Sequence, residues 1–96
     1  MKIQHVQSGI NGSFFAEAEG KTVARMTYSF ENPSVMVIEH TVVDPSLRGK
    51  NIGQQLIKKA VSFAVENGVK IKPECPFVRS VFERHPEEYK DIIYRS

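Results

Sequence analysis

The sequence predicts an α+β fold: an antiparallel β-meander of about four strands, one long helix, a short parallel fifth strand, and one or two C-terminal helices. Three observations carry this. The first 43 residues alternate polar and apolar positions between turn dipeptides, the two-residue period of strands. Between residues 52 and 67 the apolar period changes to that of a helix. A short apolar run then follows the helix stop, and such a strand–helix–strand crossover pairs its strands in parallel. At 96 residues, the chain reads as one domain spanning 1–96 with a modest core.

Taken in order, Lys2–Val6 is a short alternating strand. Asn11-Gly12, the strongest hairpin dipeptide, predicts the turn into Ser13–Ala18. Glu19-Gly20 turns the chain into Lys21–Phe30, and Glu31-Asn32-Pro33-Ser34 leads to Val35–Val43. That last strand is apolar at both parities, as a strand buried on both faces would be. Behind it, Ile52, Leu56, Ala60, Phe63 and Ala64 form a helical stripe that Ile57, Val61 and Val65 widen. Asn67-Gly68 is a left-handed stop, and Val69–Lys72 is the fifth strand. Pro76 opens a helix carrying Val78, Val81, Phe82 and His85, and Glu87–Tyr94 predicts a short final helix.

Composition bounds the function classes. Hydrophobic content of 41% and charged content of 25% are those of ordinary soluble domains. No apolar run approaches a membrane span, and Met1–His5 has no signal-peptide core, so a cytoplasmic protein without membrane association is expected. A single cysteine fits a reducing compartment. No histidine, cysteine and carboxylate spacing suggests a metal site. The net charge of +2 is unevenly spread: residues 48–72 carry +5, against −2 before and −1 after. Lys58 and Lys59 read as a solvated helix face without interleaved aromatics, which argues against nucleic acid.

The charge concentrates where a strand ends, a glycine-containing loop follows, and a helix begins, at Asp44-Pro45-Ser46-Leu47-Arg48-Gly49-Lys50-Asn51-Ile52-Gly53. Free N–H groups and the helix dipole favour anions there, and Arg48 and Lys50 add cations. The residues alone suggest a diphosphate-bearing ligand. This stretch resembles the pyrophosphate-binding signature of the GCN5-related N-acetyltransferases (GNAT), with Arg48 and Gly53 matching and Asn51 standing where a glycine is usual. Asn is the residue after glycine most tolerant of left-handed backbone. The order of elements from Lys21 to about Arg84 also resembles that family. Glu39-His40-Thr41 and Pro73-Glu74-Cys75-Pro76-Phe77-Val78 are similar to short, mostly uncharacterised members. The resemblance implies a GNAT-like domain that binds acetyl-CoA or coenzyme A through Thr41, Val42, Val43, Arg48, Gly49, Lys50, Asn51, Ile52 and Gly53. The two helices that usually follow the first strand are missing.

Three residues are candidates for chemistry. Cys75 ends the fifth strand next to a helix N-terminus, where a thiol is readily ionised. It could accept the acetyl group or protonate departing coenzyme A; as a lone cysteine it could equally be a small buried hydrophobe. His40 could act as general base, or simply be hydrogen-bonded in the sheet. Glu39, by strand alternation, points to the opposite face. The expected function is acetyl transfer to an unknown, amine-bearing acceptor, small molecule or protein; the alternative is a non-catalytic CoA-binding module. A monomer is expected, with the exposed edge of the first strand leaving room for a dimer.

Overall fold

In the computed structural model, which describes residues 2–47 and 49–95, five strands pair in chain order. They are β1 Ile3–Ser8, β2 Asn11–Ala18, β3 Lys21–Asn32, β4 Val35–Val43 and β5 Lys70–Pro73. The first four are antiparallel, and β4 and β5 are parallel across the helix α1, Ile52–Asn67. Two short helices follow, α2 Pro76–Arg84 and α3 Pro86–Tyr89. The expected meander, long helix, parallel fifth strand and C-terminal helices are all present.

Cross-strand partners share a face. His5, Phe14, Met26 and Thr41 therefore form one row across four strands, and Val6, Ser13, Thr27 and His40 form the adjacent row on the opposite face. The first face carries the core. Phe63 of α1 sets its ring edge-on against His5 and Phe14, over buried Met26, Tyr28 and Ile38, with Leu56, Ile57 and Ala60 beside it. The second face is open, and Val6 and Val42 are 53% and 68% exposed. The expectation that Val35–Val43 is buried on both sides therefore holds only for its first half. Val35, Met36 and Ile38 are buried, whereas His40 and Val42 face solvent.

Three other expectations are corrected by packing. The first hairpin turns at Gly9-Ile10, because Ser8 pairs with Asn11, and Gly9 supplies the positive φ of 60° that such a two-residue turn needs. Gly12 is drawn into β2 because only glycine fits there: a Cβ would lie 2.3 Å from the Tyr28 hydroxyl and 2.7 Å from the Val6 carbonyl. Tyr28 in turn shares a 2.6 Å hydrogen bond with His5 Nε2. The final helix ends at Tyr89 rather than Tyr94. Ile93 bridges β5 instead, since Ile71 N–H donates to the Ile92 carbonyl and Tyr94 N–H to that of Ile71. Val65, expected on the apolar stripe, is 64% exposed, one residue beyond the contact arc that ends at Ala64.

Candidate active site

The loop after β4 is shaped by its own short-range hydrogen bonds. Asp44 Oδ1 accepts from Ser46 N–H at 2.9 Å, and its carbonyl accepts from Leu47, winding Pro45–Leu47 into one 3₁₀ turn. These bonds hold the Asp44 carboxyl below its ordinary pKa, so it stays anionic. Gly49 and Asn51 then take φ of 84° and 57° and aim the chain into α1. Asn51 tolerates the left-handed backbone as expected, but its side chain does not cap the helix. Among the described residues, the N–H groups of Gly53 and Gln54 find no backbone acceptor, because the first turn of a helix has none to offer. Arg48 lies outside the described residues.

A cavity of about 200 Å³ opens at this helix terminus, lined by Val43, Leu47, Gly49, Asn51, Gly53 and Phe77. Gly53 lets Phe77 approach closely: a Cβ would stand 2.7 Å from the Phe77 ring, which would have to shift to admit it. Phe77 lies within the Pro73–Val78 stretch that resembles short family members, where the sequence assigns it no site role; it sits off the buried stripe of Val78, Val81 and Phe82.

The second half of the site comes from strands that part. Pairing between β4 and β5 ends at Ile38 and Pro73, where Glu74 and Cys75 N–H both donate to the Ile38 carbonyl. Beyond that point β5 turns away into α2, and among the described residues Glu39–Val43 have no strand partner on that edge. Cys75 stands at the fork as the N-cap position of α2, 3% exposed. Its thiol donates to Thr41 Oγ1 at 3.4 Å. The unpaired edge of Thr41–Val43 leads directly into the loop and the α1 terminus. The main-chain edge of Thr41, Val42 and Val43 thus leads to Gly49, Lys50, Asn51, Ile52 and Gly53, with Cys75 at the fork beside Thr41, while the Val42 side chain stands on the open face.

His40 and Glu39 lie elsewhere. A β-bulge between β3 and β4 pairs Thr27 with His40 but Tyr28 with Ile38, which leaves Glu39 as the extra residue. Glu39 accepts a 3.0 Å hydrogen bond from Ser29 Oγ, and Ser29 shares a face with Thr27. Both side chains thus lie on the open face, correcting the alternation that put them on opposite faces. Cys75 reaches the core face through Thr41, so the structure separates it from His40. On the open face, His40 lines an open groove of about 530 Å³ with Thr22, Arg25, Thr27, Val42 and Asp44.

The family model described as GCN5-related N-acetyl-transferase matches residues 13–92. The chain belongs to that family. Over its whole length it resembles the NMR structure of a GCN5-like protein from Staphylococcus aureus, at 27% identity and a TM-score of 0.72, covering 99% of this chain and 89% of the other. An aminoglycoside N-acetyltransferase solved with CoA shares the fold at 19% identity and a TM-score of 0.61, covering 80% and 67%. Protein NATD1 of Danio rerio is 26% identical over 73 residues, 74% of this chain and 66% of its own. The chain thus spans under two thirds of the length of the NATD1 proteins it matches. The tight Gly9-Ile10 turn joins β1 directly to β2, and among the described residues no helix covers the open face. Among the described residues, no helix is long and apolar enough to cross a membrane.

Proposed function

We propose that this protein binds acetyl-CoA and transfers the acetyl group to an amine. The observation that carries the reading is the unpaired edge of Thr41–Val43 meeting, at Val43, the cavity before the uncapped N-terminus of α1. It offers an extended arm a strand edge to lie on, and a diphosphate a cluster of unspent donors. Family membership and a fold neighbour solved with CoA support the same ligand. Gly53 and Gln54 N–H, with the Lys50 and Arg48 side chains, would hold the diphosphate, and main-chain N–H groups of Thr41–Val43 would polarise the thioester carbonyl.

Acetyl-CoA supplies an activated acyl group. The amine forms the new C–N bond and loses one proton, and the sulfur released when the C–S bond breaks takes one up. Cys75, at the fork beside Thr41, would serve this exchange. Its thiol proton, now directed at Thr41, would pass to the departing thiolate. Alternatively its sulfur takes the acetyl group first, and hands it to the amine in a second step. Its burial favours the proton-donor role. His40 and Glu39, on the far side of β4, would serve the incoming amine as bases.

An NMR titration of labelled protein with CoA and then acetyl-CoA, followed by intact mass and an amine screen, tests the reading. Shifts at Val43 and Gly49–Gly53 with acetylated amine as product support it. An added acetyl group that disappears in Cys75→Ala assigns the two-step route. Shifts without any acetylated product would leave a CoA-binding module, which the uncovered face also favours. Absence of shifts at the loop refutes the ligand and the function together.

A further inference from the structure

On the open face of the sheet, Arg25 is fixed without being neutralised. Its guanidinium lies 5.3 Å from the ring centre of its cross-strand partner Phe15, and its Nη1 donates to Ser13 Oγ at 3.0 Å. Ion pairs among the described residues join Lys72 to Glu31, Arg79 to Glu74 and Lys90 to Glu87, and no carboxylate lies within 4 Å of Arg25. The Arg25 side chain lines both the 530 Å³ groove and a second one of about 280 Å³ beside β1. A planar guanidinium held by stacking keeps its remaining donors aimed at solvent, ready for a carboxylate.

The other end of the larger groove has the opposite character. Asp44 is anionic and exposed there, and His40 lies along β4, whereas Glu39, hydrogen-bonded to Ser29, lies outside the groove. A fixed cation over β2 and the Asp44 carboxylate at the end of β4 suit a ligand with one negative and one positive group, and disfavour a doubly charged phosphate. The separation follows from the sheet. The guanidinium stacks over β2, and the unpaired edge lies beyond β4, two strand spacings or about 10 Å away.

We infer that the groove over β3 and β4 binds the acceptor, and that the acceptor is an amine carrying a carboxylate about 10 Å from its nitrogen: a long ω-amino acid, or a short peptide with its own C-terminus. Arg25 holds the carboxylate and the amine reaches β4 beside Val42, the cross-strand partner of Arg25. This rests on the acetyl-transfer reading and names its substrate class.

The test compares straight-chain ω-amino acids with alkylamines of equal length, titrated into labelled protein already holding CoA. Expected are shifts at Arg25, Thr27 and His40, with the longer ω-amino acids binding about tenfold tighter than the matched alkylamines. Arg25→Gln should abolish that preference and Arg25→Lys should keep part of it, with the CoA shifts at Gly49–Gly53 unchanged in both. Equal binding of the two series, or a preference that survives Arg25→Gln, overturns the inference while leaving CoA binding intact. Loss of the CoA shifts in the unsubstituted protein is a different result, and overturns the reading beneath it.

Discussion

Gly12→Ala is a small change with a large expected effect, because it decides where the first hairpin turns. The added methyl would sit 2.3 Å from Tyr28 Oη, 2.4 Å from its Cζ and 2.7 Å from the Val6 carbonyl. Tyr28 is 1% exposed and boxed in by Phe14, Phe30 and Phe63, and the Val6 carbonyl is backbone, so neither can step aside. Overpacking of this kind costs roughly 1–3 kcal/mol. Pushing Tyr28 off its bond to His5 adds about 1 kcal/mol. The sum is about 2–4 kcal/mol, or a fall in Tm of roughly 10–25 °C for a domain this size. Urea unfolding measures it against Gly9→Ala, where open space surrounds the Cβ and only the left-handed backbone opposes it, at about 1 kcal/mol. A Gly12→Ala loss no larger than that of Gly9→Ala would refute the register and restore Asn11-Gly12 as the turn.

Two further outcomes follow from the same packing. Burial beside Phe14 and Phe63 lowers the His5 pKa from its ordinary 6.5. The unfolded chain therefore binds more protons below 6.5, so this contribution is complete above 6.5 and is lost as pH falls through the folded value. Urea midpoints taken from neutral to mildly acidic pH should decline over that window in the wild type and much less in His5→Gln. At the signature loop, Asn51→Gly should leave stability within a few tenths of a kcal/mol, because φ is already 57°, whereas Asn51→Val should cost about 1–2 kcal/mol and weaken CoA binding with it. Calorimetric titration of folded protein separates those two effects.

Much of the site was legible because its signals are local. A strand ending in Asp44-Pro45, a left-handed Gly49 and Asn51, and an amphipathic run from Ile52 each depend on a few neighbouring residues. Backbone sterics and hydrophobic period act over that same range. The position of Cys75 at the end of the fifth strand, next to a helix N-terminus, is legible by the same reasoning, from a strand stop followed by Pro76.

What only the tertiary structure decided involves residues far apart in the chain. Asn11-Gly12 carries the strongest local turn signal, yet Tyr28 pulls Gly12 into a strand, because a buried ring outweighs a dipeptide preference. Glu39 and His40 alternate in sequence, yet a bulge against β3 turns both outward and away from Cys75. Gly53 fits the signature, but its Cβ is excluded by Phe77, 24 positions along the chain. Local sequence determined which elements form and where the anion loop falls. Which side chains meet across them was decided by close packing, which acts between whichever atoms the fold brings together.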